Sequence, residues 1–307
     1  MVYDTIVYDT ICLSGSGIYA FLYIGALDKL INDKLIDINN ITTWIGTSGG
    51  AIISLIFSLG YSNTELLEFI SNFNFTILLP KKIKLFTFLK SNGLNNGNKF
   101  IFFFKKMIYN KFNVEDLTFK ELYDLTKKKL IIIGTNFTKN TEEIFSIDFT
   151  PDMSIVTAVR ISISIPLIFT PVLYNSDYYI DGGIKNNFPY NHCDPNKTLG
   201  INIKRKHINN KLINIFNIFK ITLSMLTLSF RSNYNNSNII TIDISNDYNK
   251  NIIYNDLDLS KENIDSMINI GKINVNNYLL NKNNIINSVS IHQNKTFLTV
   301  ETQTDDI

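Results

Sequence analysis

Two short glycine clusters in the first fifty residues constrain this chain more than anything else in it. Gly15-Ser16-Gly17 follows the apolar run Ile6-Val7-Tyr8 to Ile11-Cys12-Leu13. Gly46-Thr47-Ser48-Gly49-Gly50 follows Ile41-Thr42-Thr43-Trp44-Ile45. Each cluster has a strand-length run before it and an apolar, helix-length segment after it. A strand–turn–helix of the form G-x-S-x-G forces its serine onto a sharp bend, with the hydroxyl exposed at the helix N-terminus. A neighbouring glycine turn offers backbone N–H groups that can hold a negative oxygen. The pair predicts a serine acyl hydrolase, with Ser48 as nucleophile and the amides of Gly15, Ser16 and Gly17 as oxyanion hole.

Strand and helix patterns alternate along the chain. Strands are expected at 6–13, 41–46, 130–136, 143–148, 177–181, 198–203 and 239–243. Helices are expected at 17–32, 48–59, 63–72, 119–127, 153–161, 213–229 and 261–281. Ser62 with Glu65, and Thr118 with Glu121, have the spacing of capping boxes. The alternation predicts an α/β fold of three α/β/α layers with a largely parallel central sheet. Ligands then bind beyond the carboxyl ends of the strands, where both glycine turns fall. Residues 1–203 are expected to form the catalytic core, with a basic, aromatic lid or insertion at 73–113. Residues 204–307 complete the same domain, ending in a flexible polar tail from about 282.

A hydroxyl nucleophile needs a base. The chain has three histidines, His192, His207 and His292. None has a context that points to chemistry, and each reads as a surface or structural residue. Asp181 is different. Tyr179-Ile180-Asp181-Gly182-Gly183 puts a carboxylate at a strand end, followed by two glycines that let the backbone turn hard. A free Asp is a weak base, but burial raises carboxylate basicity and a direct hydrogen bond places the proton. A Ser48–Asp181 dyad is therefore chemically sound.

These residues resemble the patatin-like phospholipase family. Leu13-Ser14-Gly15-Ser16-Gly17 with Gly25-Ala26-Leu27 is similar to its oxyanion block. Gly46-Thr47-Ser48-Gly49-Gly50 is similar to its nucleophile block, and Asp181-Gly182-Gly183 with Asn187-Phe188-Pro189 to its aspartate block. Arg160-Ile161-Ser162 and Ile165 to Pro171 resemble the stretch that precedes that aspartate. The resemblance implies a Ser–Asp dyad, no catalytic histidine, no metal, no cofactor, and a phospholipid or other acyl-lipid substrate. Two departures stand out. Ser16 and Ala20 replace glycines of the first block, and Tyr19 replaces its basic residue. They leave open a catalytically weak or inactive lipid- or partner-binding protein. Gly15-Ser16-Gly17-Ile18-Tyr19-Ala20 also matches the G-x-G-x-x-A dinucleotide fingerprint. That reading needs an acid at the end of the second strand, and Asp37 precedes that strand.

The net charge of +2 hides a segregation: eight lysines and no acid lie between Glu68 and Glu115. Lys81, Lys82, Lys84, Lys105 and Lys106 stand among phenylalanines there, which fits peripheral contact with an anionic membrane. The alternative is a lid whose phenylalanines are core and whose lysines are solvated. No nucleic-acid motif accompanies the basic stretch. The N-terminus lacks a signal-peptide pattern, and the best spanning candidate, 212–230, reads as amphipathic. The expectation is a cytoplasmic or peripheral membrane protein. Two cysteines, Cys12 and Cys193, provide no disulfide framework.

Overall fold

The computed structural model describes residues 7–78, 93–204, 236–244 and 259–301. Strand β1 (Thr10–Leu13) leads through a 3-10 turn at Gly17–Ala20 into helix α1 (Phe21–Asn32). Strand β2 (Thr43–Thr47) leads into α2 (Gly49–Ser58), and α3 (Asn63–Asn72) follows. Then come β3 (Gly93–Asn95), α4 (Asn98–Phe112), α5 (Phe119–Thr126), β4 (Lys129–Asn136) and β5 (Thr141–Ser146). Helix α6 (Ile155–Ser162) precedes the short strands β6 (Leu167–Phe169), β7 (Val172–Tyr174) and β8 (Asp177–Asp181). Strands β9 (Thr198–Lys204) and β10 (Ile239–Asp243) and helix α7 (Lys261–Glu301) end the described chain.

The fold is α/β, a mixed sheet with flanking helices. Strands β10, β9, β1, β2 and β4 are parallel neighbours in that order. Beyond β4 the sheet turns antiparallel, through β5, β8 and β7. Residues of the central strands alternate between faces. Ile11, Leu13 and Trp44 enter the main core, while Cys12 and Ile45 pack with Tyr190 in a smaller one. Trp44 stacks on Phe57 of α2 at 4.7 Å, which seats that helix on the sheet.

One register decides the position of the site. Strand β5 pairs with residues 131–136 of β4, so it fills one edge of that strand. Strand β2 pairs with residues 129–133 and β8 with 134–136. Both overlap β5, so both must lie on the opposite edge. Strand β2 runs with β4 and β8 runs against it. The two therefore approach head-on, with Thr47 opposite Ile133 and Asp181 opposite Gly134.

Helix α1 packs along α7 at unusually close range. A Cβ on Gly25 would sit 1.8 Å from the carbonyl oxygen of Ile268, and one on Gly271 would sit 2.1 Å from that of Leu22. Each helix thus has a glycine where the other's backbone passes. Buried Asp28 adds a polar tie: it accepts from Asn63 of α3 at 2.7 Å and pairs with Lys272 of α7 at 2.6 Å.

The structure modifies several expectations. The first strand, Thr10–Leu13, covers only the last half of the expected span 6–13. The insertion contains a fifteen-residue helix, α4, whose Phe103 and Phe104 pack against the core. Strands β3 and β6 pair with each other and tie that insertion to the rest of the chain. Helix α7 runs past 281 to Glu301, since no Gly or Pro interrupts 282–301. The helix expected at 213–229 and the spanning candidate at 212–230 lie outside the described residues. Among the described residues no helix is long and apolar enough to cross a membrane.

Both expected capping boxes form, at Ser62/Glu65 and Thr118/Glu121. The Lys111 ammonium and the Ser62 amide hold Glu65 below the usual carboxylate range, and the Thr118 amide does the same for Glu121. A lowered folded value means stability that is present above the unfolded pKa of about 4.3 and lost as pH falls through the folded one. Glu121→Gln is expected to flatten that acid limb in urea titrations between pH 6 and 3. Gly271→Val should separate α7 from α1 and cost about 1–3 kcal/mol in the same titration at neutral pH. A loss under about 0.5 kcal/mol would show that the close contact is unimportant.

Candidate active site

The site lies where β2 and β8 meet. At Ser48 the next place on the edge of β4 is already taken by Asp181, so the chain must leave the sheet. It does so in one residue: Ser48 has φ 51° and ψ −119°, and α2 begins at Gly49. That conformation costs a non-glycine residue about 1–3 kcal/mol and persists only where its surroundings enforce it. Close packing does so here. A Cβ on Gly50 would lie 2.6 Å from the carbonyl oxygens of both Leu13 and Ser14, so α2 starts hard against the end of β1.

The elbow presents its hydroxyl to the strand that displaced it. Ser48 Oγ donates to Asp181 Oδ2 at 2.6 Å, across 133 residues of sequence. Both residues are buried, 5% and 6% exposed. The other carboxylate oxygen, Oδ1, accepts the Gly183 N–H at 2.7 Å. The backbone of Asp181 is held as well, its N–H by the Ser164 carbonyl at 2.9 Å and its carbonyl by Thr135 Oγ1 at 2.9 Å. Gly182 is packed against the Ile133 carbonyl, which leaves no room for a side chain. A hydroxyl and a carboxylate held this way can move a proton from serine to aspartate as the serine oxygen attacks.

The first glycine turn lies alongside. A Cβ on Gly49 would touch Ser16 Oγ at 2.3 Å and the Gly17 carbonyl at 2.6 Å, so the two turns are in contact. The three amides of the turn are not equivalent. Gly15 N–H donates to the Asn187 carbonyl at 2.7 Å and is already committed. Those of Ser16 and Gly17 have no acceptor among the described residues. Ser16 Oγ is fully buried and has no partner there either. Tyr19 and Ala20, the other departures in this block, are also buried. The aspartate block closes the site from the far side, where Asn186 accepts from Thr47 Oγ1 at 3.0 Å.

Arg160 connects the site to the insertion. Its guanidinium is 3% exposed, and burial pushes its pKa down to about 10. It donates to the Asn96 and Thr170 carbonyls and to Ser164 Oγ, and it lies over the Phe169 ring. In sequence, Arg160 and Ser162 carry no sign of a part in the site. The contacts of Thr47, Asn186 and Asn187 are equally silent there. Nothing in their local pattern marks them, because their partners are more than a hundred residues distant or lie across a turn.

His192 pairs with Glu142 at 2.7 Å on the surface, and His207 lies outside the described residues. Asp37 caps the 3-10 turn before β2 rather than ending that strand, so the dinucleotide pattern lacks its acid. Lys81, Lys82 and Lys84 lie outside the described residues. Lys105 is paired with Glu115, and Lys106 sits 5.0 Å over the Tyr109 ring.

The family described as "Patatin-like phospholipase" matches residues 11–194. The chain is 33% identical over 259 residues to "Probable lipid hydrolase 463L" of Invertebrate iridescent virus 6, covering 82% of this chain and 83% of that one. It is 37% identical over 194 residues to protein R571 of Acanthamoeba polyphaga mimivirus, covering 62% of this chain and 64% of that one. Among solved structures, VipD from Legionella pneumophila superposes with a TM-score of 0.55 at 18% identity, over 89% of this chain and 66% of that one. The effector ExoU of Pseudomonas aeruginosa does so with 0.50 at 12% identity, over 89% and 53%. These two likenesses speak to the fold alone. More than half of the chain answers to one family description, and a relative one-third identical spans most of its length: this protein belongs to the patatin-like phospholipase family.

Proposed function

We propose that this protein is a serine acyl hydrolase that releases fatty acids from phospholipids or related acyl lipids. The observation that carries the reading is the 2.6 Å hydrogen bond from the buried elbow hydroxyl of Ser48 to Asp181. Ser48 Oγ attacks the acyl carbonyl while Asp181 takes its proton. The tetrahedral oxyanion is held by the amides of Ser16 and Gly17, each donor being worth about 10²–10³ in rate. Gly15 shapes the turn but does not donate, since its N–H is held by Asn187. Collapse of the intermediate expels the alcohol, which receives the proton from Asp181. Water, activated by the same carboxylate, then attacks the acyl-serine, and the fatty acid leaves with Ser48 restored. The reaction has no step that calls for a metal.

The substrate lies in an interface, and α4 has a face suited to one. Lys99, Phe102, Lys106 and Tyr109 follow one another at helical spacing on its outer side, with Phe102 72% exposed. Basic and aromatic residues mixed in this way favour an anionic lipid surface. With Lys81, Lys82, Lys84 and Lys105 nearby in sequence, we assign membrane contact to this region.

Fatty-acid release from radiolabelled phospholipid, with EDTA present, tests the chemistry. Ser48→Ala and Asp181→Asn are each expected to lower kcat by about 10⁴-fold or more. Wild-type release from either variant would refute the dyad. Fluorophosphonate labelling at Ser48 is expected in the folded protein; a folded chain that never labels would instead be a lipid-binding relative without activity. For the membrane reading, co-sedimentation with vesicles containing phosphatidylserine should weaken when Phe102→Ser is combined with neutralisation of Lys81, Lys82, Lys84, Lys105 and Lys106. The effect should grow at low salt, and unchanged binding would remove this region from the account.

A further inference from the structure

The meeting of β2 and β8 leaves a gap in the hydrogen-bond ladder on β4. Thr47 is the last residue of one ladder, opposite Ile133, and Asp181 is the first of the other, opposite Gly134. The Ile133 carbonyl and the Ser48 N–H fall at the junction. One side chain reaches both. Ser162 Oγ, wholly buried at the end of α6, donates to the Ile133 carbonyl at 2.6 Å and accepts the Ser48 N–H at 2.8 Å. A hydroxyl has a single proton, and here it is committed away from the reacting atoms. Ser162 therefore takes no proton from Ser48 Oγ. It acts on the backbone of the elbow.

The same segment also holds the partner carboxylate. Two residues on, the Ser164 carbonyl accepts the Asp181 N–H at 2.9 Å. The end of α6 thus holds one backbone group from each member of the Ser48–Asp181 pair. Two strands that meet end to end have no ladder bond between them to set their separation. The 162–164 segment supplies that reference.

We propose that Ser162 is a positioning residue for acyl transfer: by tying the Ser48 amide to β4 it keeps the Ser48 hydroxyl within hydrogen-bond reach of Asp181. The proposal rests on the reading of Ser48 as nucleophile. Displacements of about 1 Å at a reacting centre can cost about 10²-fold in rate with little effect on substrate affinity.

The test uses the full chain and a soluble p-nitrophenyl acyl ester, so that membrane binding does not enter. Ser162→Ala, Ser162→Thr and Ser162→Cys are compared with Ser48→Ala. Ser162→Ala is expected to lower kcat about 10–100-fold with KM within about twofold of wild type, and to slow fluorophosphonate labelling of Ser48 in parallel. Ser162→Thr keeps the hydroxyl and should restore most of kcat. Ser162→Cys keeps the shape but offers only a weak donor and acceptor, and should fall between. A folded Ser162→Ala enzyme with wild-type kcat overturns the proposal, provided Ser48→Ala is inactive. A Thr variant as slow as the Ala variant overturns it too, because packing and not the hydroxyl would then matter. If Ser162→Ala does not fold, Ser162→Cys decides, and an unchanged kcat there is equally fatal. Activity surviving in Ser48→Ala would defeat the nucleophile assignment itself, a separate result.

Discussion

One edge of one strand organises this molecule. Strand β4 pairs with β5 along one side and divides its other side between β2 and β8, which run toward each other. Two chain segments cannot occupy the same ladder position. Strand β2 must therefore turn out of the sheet at Ser48, and the hydroxyl left at that turn faces the carboxylate that ends β8. The sharp bend and the 133-residue contact have the same steric cause.

Such an arrangement buries polar groups that water would otherwise serve, and a buried donor or acceptor without a partner costs about 1–3 kcal/mol. Nearly every backbone group around the junction is met. Ser162 bridges the Ser48 amide and the Ile133 carbonyl, Ser164 and Thr135 take the two backbone groups of Asp181, and Gly183 orients its carboxylate. The exceptions lie together in the first glycine turn: among the described residues the Ser16 and Gly17 amides and the Ser16 hydroxyl meet no partner. On the proposed mechanism these are the donors that the tetrahedral oxyanion would take up.

Legibility followed the range of the interaction. The capping boxes at Ser62 and Thr118 were readable because both partners lie within four residues. The elbow was readable because only a strand, a glycine turn and a helix in succession produce it. The insertion was harder. Its phenylalanines looked alike in sequence, yet Phe103 and Phe104 are core while Phe102 is 72% exposed, a division that helical phase on α4 makes. Gly25 stands in a resembling block and Gly271 in none, yet for both the physical reason, a carbonyl on the other helix, is invisible in sequence. Gly15 reads as a donor in sequence, but its N–H is held by the Asn187 carbonyl, which no local pattern reveals.

By itself the sequence determined the parts: two glycine turns behind strands, a serine at a bend, an aspartate at a strand end, and enough apolar alternation for an α/β sheet. These are local properties, set by backbone sterics and by side-chain periodicity. Tertiary structure alone decided how they combine. It put β2 and β8 on the same edge of β4, tied the Gly15 amide to Asn187, and brought the end of α6, with Ser162, against the place where the two strands meet. Register along a shared strand depends on which other strands already fill its edges, and that is a property of the assembled sheet rather than of any one segment.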